Sequence, residues 1–389
     1  MSLMYDVIII GGGPSGLNCA YRLSQAGLNV LVFDKRPQVG KGKICTGIVG
    51  VEAFENFDLS QDSILNEIRS IRIVSPYGSL IEYKHPSVLA YVLDREKFDA
   101  HIAQLALSEG TEIKSKSEVI IIDVDKRQVR VIVKDEEGSL NSYSSKVIVL
   151  ATGINLKFNK MLSLGLPKDF LYGVNAHARI KGIDTTTVYI GNSLAPGAFT
   201  WATPLKNGWI RIGLMTKERP KFYFQRFCEK ILSSKKNALE IVSVGYKPIA
   251  QGLVSKTYNN RVIAVGEAAG QVKTTTGGGI YYGLLCSEIA ANIILKAFKQ
   301  NSFDARTFSE YEELWKKKIG REIKIGYYIR KIYSKLTDWQ VEQLFWITKS
   351  NGFLPFITRR MKFDWHSDLL LSFIQMAPIS RIFSKNLKS

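Results

Sequence analysis

The sequence predicts an α/β fold: a Rossmann-like nucleotide-binding domain, an antiparallel sheet inserted into it, and a helical C-terminal region. Three observations predict it. A strand, a glycine-rich turn, a helix and a second strand follow one another within Tyr5–Asp34. Two apolar, β-branched runs, Val147–Leu150 and Arg261–Gly266, return much later and read as strands of the same buried sheet. Between them, residues 171–255 alternate short strands and turns, with helical period only near Phe222–Leu232.

In chain order, Tyr5–Ile10 has the composition of a parallel strand covered on both faces. The turn is Gly11–Gly16, GGGPSG. Leu17–Ala26 reads as a helix with Leu17, Ala20, Tyr21 and Leu23 on one face, and Gly27 ends it. Leu28–Phe33 is the second strand, closing on Asp34. Residues 35–60 are loop-rich and carry Gly40, Gly42, Gly47 and Gly50. Ile71–Val74 and Leu80–Tyr83 flank Pro76–Tyr77–Gly78 as a hairpin. Leu93–Ser108 reads as a helix capped by Asp94. Glu112–Lys114, Val119–Val124 and Val129–Val133 alternate as strands, and Val147–Leu150 runs into Ala151–Thr152–Gly153. Gly277–Lys299 is a long apolar helix, and from Arg306 the chain is helical, aromatic and basic. This assigns residues 1–70, 92–170 and 256–300 to the nucleotide-binding domain, 71–91 and 171–255 to the inserted sheet, and 301–389 to the C-terminal region.

The chemistry begins at Gly11, Gly13, Pro14, Ser15 and Gly16. A G-x-G-x-x-G turn between strand and helix lets the backbone approach a pyrophosphate, and the helix N-terminus offers unpaired N–H groups. Asp34, with Lys35 beside it, stands where a carboxylate accepts ribose hydroxyls. That context makes the motif a dinucleotide fingerprint without choosing between NAD and FAD. The choice comes from Gly266-Glu267-Ala-Ala-Gly270 and the following Thr274–Ile280, TTTGGGI. A second glycine turn leading into a helix suits a flavin, whose ring gains negative charge on reduction and is stabilised by a helix N-terminus.

These motifs, with Cys45-Thr-Gly47-Ile, Asp94-Arg95-x-x-Phe98-Asp99 and Ala151-Thr152-Gly153, resemble the geranylgeranyl reductase family of flavoproteins, within the hydroxylase-type FAD-binding fold. The resemblance spans residues 4 to about 300. It implies FAD as cofactor and hydride transfer from reduced flavin to isoprenoid double bonds of lipid precursors. It further implies that Arg95 reaches the FAD, Gly266, Glu267 and Gly270 meet its pyrophosphate–ribityl part, and Gly277, Gly278, Gly279 and Ile280 approach its pyrimidine edge. Val119 would lie near adenine, and Cys45 near the flavin, where a thiol can relay a proton. Three positions depart from the family pattern. Glu267 stands for an aspartate, and Thr152 for the aspartate of an Asp-Gly pair. The substrate segment PxxYxWxFP reads Pro196-Gly-Ala-Phe199-Thr-Trp201-Ala-Thr203-Pro204, so no tyrosine is available there as a proton donor. Pro196, Phe199, Trp201 and Pro204 are the substrate-binding candidates, in an aromatic segment that the resemblance makes an apolar tunnel.

With 46% hydrophobic and 23% charged residues, the 389-residue chain is neither disordered nor a coiled coil. Four separated cysteines (Cys19, Cys45, Cys228, Cys286) exclude a disulfide scaffold, a zinc ribbon and a cysteine-held cluster. His85, His101, His177 and His366 have no metal spacing, so no metal is expected. No secretory leader is evident, and no run reaches the ~18 apolar residues of a spanning helix. The reading is cytoplasmic. The net charge of +18 favours anionic partners, among them an acidic electron donor such as a ferredoxin. From Arg306 on, 16 Lys/Arg stand against 8 Asp/Glu, interleaved with aromatics up to Arg359–Arg360 and Trp365, and Leu369–Pro378 is apolar but short. That pattern suits peripheral membrane contact, or a helical cap, better than nucleic acid, for which no motif is present. Two alternatives share the fold: a flavin monooxygenase or halogenase, and a flavin electron-transfer protein.

Overall fold

A computed structural model of the chain describes residues 4–43, 45–180, 182–233, 239–350 and 362–375. Arg359–Arg360 and the end of the 369–378 run lie outside them.

The central sheet runs Tyr258–Asn259, Val262–Ala264, Leu140–Leu150, Met4–Ile10, Val30–Phe33, Glu112–Lys114 from edge to edge. All but the first pair are parallel. Side chains alternate between two covered faces, which explains why the inner segments Val7–Ile10, Val30–Phe33, Val147–Leu150 and Val262–Ala264 are apolar throughout. Val7, Ile9, Val30, Val32, Val147 and Val149 face one core, with the helices Pro14–Gln25, Arg95–Ser108 and Ile280–Gln300. Ile8, Ile10, Leu31, Phe33, Ile148 and Leu150 face the other, under the antiparallel strands Glu118–Val124 and Val129–Lys134. Register pairs Ile10 with both Phe33 and Leu150, and Leu150 with Ala264. The turns that follow, at Gly11, Asp34, Ala151 and Gly266, therefore meet at one carboxyl edge, the usual ligand crevice of such sheets.

The inserted sheet has seven strands, ordered Glu240–Gln251, Asp169–Arg179, Trp209–Thr216, Phe199–Pro204, Thr186–Ile190, Ser70–Val74, Leu80–Lys84. It is antiparallel except where Thr186–Tyr189 pairs with Ile71–Val74. Helix Pro220–Ser233 covers one face, through Phe224, Phe227 and Ile231. Ile48–Gly50, Ala90–Leu93 and Ile64–Ile68 form a small antiparallel sheet; the first lies in the 35–60 stretch read from sequence as loop, and Leu93 closes the second rather than opening the helix, which starts at Arg95 after the Asp94 cap.

Two expectations need correction. The long helix begins at Ile280, not Gly277, because Gly277 has φ +72 in the preceding turn. That helix is also long and apolar enough, by length and composition, to cross a membrane, contrary to the sequence reading. Its apolarity has another cause: 67% of the window is buried, and Tyr282, Leu284, Ala290, Ile294 and Ala297 pack in the core of the nucleotide-binding domain. The C-terminal region holds Ala305–Trp315, a π-turn at Lys316–Gly320, Arg321–Tyr333, Asp338–Ser350 and Ser367–Ile374. Several of its basic and aromatic groups turn inward. Phe345 and Arg330 are buried, and Trp365 donates to Glu52.

Candidate active site

A cavity of about 440 Å³ lies at the carboxyl edge of the central sheet, between it and the inserted sheet. Its floor is the glycine turn. A Cβ at Gly11 (φ +110) would run into the carbonyl oxygen of Ala151, and one at Gly16 into that of Gly11. Only glycine lets these backbones touch, and the result is a bare N–H surface at the start of helix Pro14–Gln25. Ser15 is wedged against Gly266 and Gly283, which locks the second motif onto the first.

At one end, Gly12 donates its N–H to Asp34 Oδ2 at 2.7 Å. Arg36 holds both carboxylate oxygens, Nε to Oδ1 at 3.0 Å and Nη2 to Oδ2 at 2.6 Å. Burial pushes the Asp34 carboxyl up, but the hydrogen bonds and charge of Arg36 outweigh it and hold the group below its ordinary value. Lys35, Ser117, Glu118 and Val119 complete this end.

Over the glycine turn stands a basic group. Lys43 Nζ is 3.6 Å from Asp99 Oδ2, and Asp99 is gripped by Arg95 through two nitrogens. Burial, with the charges of Arg36 and Arg95, brings Lys43 down to about 8 despite Asp99. Cys45 follows. Burial raises its thiol, yet the Arg95 charge, a hydrogen bond from the Gly47 N–H (3.3 Å) and the Lys247 charge bring it below the ordinary cysteine value. Buried Arg211 closes this corner, donating to the carbonyls of Thr46 (2.6 Å) and Leu93 (2.8 Å).

The far wall is the turn after Gly266. Glu267 Oε2 pairs with Lys247 Nζ, which arrives from the edge strand of the inserted sheet. The 273–279 turn is backed by residues from the C-terminal region. Lys273 pairs with Asp364 at 2.5 Å, both almost fully buried, and Thr275 Oγ1 meets His366 Nδ1 at 2.8 Å. On the inserted sheet, Phe199 and Trp201 pack edge-to-face, with centroids 5.8 Å apart, against Leu171, Ala198, Met215 and Ile249. Met215 and Ile249 also abut Gly277, so this apolar cluster borders the cavity.

Among the residues expected at the cofactor, Gly11, Gly13, Pro14, Ser15, Gly16, Asp34, Lys35, Cys45, Arg95, Val119, Ala151, Thr152, Gly153, Gly266, Glu267, Gly277, Gly279 and Ile280 line the cavity. Gly47, Gly270 and Gly278 do not. Gly47 lies behind Arg95 and Arg211, Gly270 against Val254, and Gly278 over Lys273. Pro196, Phe199, Trp201 and Pro204 are also off the lining; Phe199 and Trp201 pack behind Met215 and Ile249, which abut Gly277. Sequence reasoning missed Arg36, Lys43 and Lys247 as lining residues. In a chain with 53 basic residues, nothing local singles them out.

A family profile described as pyridine nucleotide-disulphide oxidoreductase matches residues 5–184, the span from the first strand into the inserted sheet. Among curated proteins, a digeranylgeranylglycerophospholipid reductase of Methanocaldococcus jannaschii is 29% identical over 355 residues, covering 88% of this chain and 90% of its own length. A second such reductase, from Methanothermobacter thermautotrophicus, is 27% identical over 88% of this chain and 91% of its own. Over almost nine-tenths of its length the chain is thus similar to the geranylgeranyl reductase-like flavoproteins. The glycine cradle and basic roof described above fit the pyrophosphate of FAD. Solved structures agree on the fold. A geranylgeranyl bacteriochlorophyll reductase-like protein of Thermoplasma acidophilum superposes with a TM-score of 0.87 at 21% identity, covering 99% of this chain and 100% of its own. The halogenase PltM, solved with phloroglucinol and FAD, gives 0.67 at 16% identity, over 99% and 86%.

Proposed function

We propose that this geranylgeranyl reductase-like flavoprotein saturates isoprenoid double bonds of membrane-lipid precursors. The observation that carries this reading is the junction of the cofactor cavity with the Phe199–Trp201–Met215–Ile249 cluster at Gly277. A long hydrocarbon needs an apolar wall beside the redox centre, and this junction supplies one. The names of the relatives point to the same substrate class.

Reduced FAD, when bound, supplies the hydride. The chain's residues do the rest. Gly11–Gly16, Lys43 and Arg95 hold the cofactor's anionic middle, and Asp34 its ribose end. The aromatic cluster positions the alkene and keeps water away, which matters because an isolated alkene offers no charge to grip. Cys45 is the candidate proton source. Arg95, the Gly47 N–H and Lys247 stabilise its thiolate, so its thiol gives up a proton more readily than a free cysteine. Electrons arrive from an acidic protein donor of ferredoxin type, drawn by the +18 charge. Reduction by such a donor should slow steeply with added salt; a flat response with fast NADPH reduction would reject that donor.

The deciding experiment is anaerobic. The protein is reduced with dithionite and mixed with a geranylgeranyl lipid while flavin absorbance and product mass are followed. Reoxidation with a gain of two hydrogens per double bond is expected. Flavin that stays reduced until oxygen enters would favour the oxygenase alternative.

A further inference from the structure

The molecule presents one extended apolar surface that its fold does not use. The loop and short helix from Leu156 to Phe170 form an open groove of about 610 Å³, lined by Leu156, Met161, Leu166, Pro167 and Phe170. Met161, Leu166 and Phe170 are exposed. The groove does not stop there. Phe170 and Tyr172 lie opposite Ala250 and Pro248; further along the same face Val174 and Ala176, themselves buried, lie opposite Tyr246 and Val244 of the edge strand, and directly opposed residues of an antiparallel pair point the same way. That places Phe170, Tyr172, Tyr246 and Val244 in one band, all exposed, along the edge strand. Soluble surfaces rarely leave so contiguous an apolar patch without a partner.

Charge identifies the partner. Lys157 and Lys160 line the groove, and Lys168 is exposed beside it. None of the three is ion-paired among the described residues. The adjacent acid, Asp169, is neutralised by Lys331 (2.7 Å) and Arg330 (3.4 Å). Lys157 Nζ donates to the Ile120 carbonyl at 3.3 Å, which leaves its charge unneutralised. An apolar band rimmed by cations without acidic partners matches an anionic lipid surface: acyl chains for the band, headgroups for the lysines. The strand also gives direction. Alternation turns Tyr246 outward while its neighbour Lys247 lines the flavin cavity and Ile249 reaches Gly277. The outer band and the cavity are thus the two faces of one edge strand.

We propose that the Leu156–Tyr172 groove, with Val244 and Tyr246, docks on anionic bilayers and is the face through which a lipid substrate enters. The exposed aromatics of the C-terminal helices, Tyr328, Trp339 and Trp346, are then not the membrane anchor. The inference rests on the lipid-substrate reading, yet its test needs no turnover.

The test uses full-length protein with bound FAD, floated with phosphatidylcholine vesicles with and without phosphatidylglycerol. Wild type should float only with the anionic vesicles. Lys157→Gln with Lys160→Gln should weaken binding about thirty-fold, at ~1 kcal/mol per lysine near such a surface. Leu166→Ser with Phe170→Ser should abolish it, and Trp339→Ser should leave it unchanged. Hydrogen exchange on wild type should show protection of 156–172 and 241–246 on vesicle binding, a readout independent of variant folding. The proposal is overturned if wild type does not float, if Trp339→Ser removes binding while the groove variants keep it, or if protection falls on 338–350 instead. It is equally overturned if light scattering shows a dimer that the groove variants split, since a second copy would then cover the face. Docking without any alkene reduction would sink the lipid-reductase reading and support this one.

Discussion

Lys247 Nζ lies 2.5 Å from Glu267 Oε2, and this ion pair ties the edge strand of the inserted sheet to the turn that follows the last core strand. Both residues line the cofactor cavity, at its far wall. The glutamate side chain at 267 is long enough for its carboxylate to meet Lys247.

Removing Lys247 should therefore weaken cofactor binding. Lys247→Met leaves Glu267 as an unpaired carboxylate facing the anionic part of FAD, and like charges at close range repel. Lys247 is partly solvent-exposed, so the effect should be modest, about tenfold in FAD Kd by fluorescence titration. Glu267→Gln in the Lys247→Met background should restore most of the loss. If the single variant binds FAD as wild type does, the pair has no role at the cofactor.

The pH dependence of FAD affinity should report Lys43. In the free protein this amine titrates near 8, because burial and the charges of Arg36 and Arg95 outweigh Asp99. A pyrophosphate beside it favours the charged form, so bound FAD raises the pKa. Affinity should then be full below pH 8 and decline as pH rises through it. Titrations between pH 6.5 and about 9.5 should show that decline in wild type and lose it in Lys43→Met.

Legibility in the sequence followed locality. The Gly11–Gly16 turn and Asp34 were readable because the whole unit is contiguous, and Gly11 and Gly16 have a steric reason to be glycine. Alternating core strands were readable because apolar runs bounded by glycine have few other uses. What stayed hidden was contributed from a distance. Lys247 crosses from another sheet, and Asp364 reaches Lys273 across 91 positions. A basic residue on a strand carries no mark of the acid it will meet. The aromatic C-terminal region misled for the same reason: Trp365 looks like an interfacial tryptophan until Glu52 accepts its indole N–H at 2.7 Å.

Cys45 provides a direct test of the proton-source role. Its thiol should react with iodoacetamide along a pH curve whose midpoint lies below that of free cysteine, since Arg95, Gly47 N–H and Lys247 overcome the effect of burial. Cys45→Ser should keep the flavin spectrum and lower the rate of alkene reduction at least tenfold, while flavin reduction by dithionite stays unchanged. An unaltered alkene rate would make Cys45 a packing residue.

The buried pair Lys273–Asp364 should be the most sensitive point in the architecture outside the hydrophobic cores. Lys273 and Asp364 are only 5% and 2% exposed, and they join the glycine turn before the long helix to a segment nearly a hundred residues on. Tyr282 adds a hydrogen bond to the Asp364 carbonyl at 2.8 Å. Asp364→Ala strands a buried ammonium without its counter-charge, at a cost of ~3–5 kcal/mol. Lys273→Met with Asp364→Leu removes both charges and replaces them with apolar groups, which is often neutral. Denaturant unfolding should therefore show a large drop for the single variant and substantial recovery for the double. If the double variant is no more stable than Asp364→Ala, the shape of the contact, rather than its charge balance, is what holds the C-terminal segment against the turn.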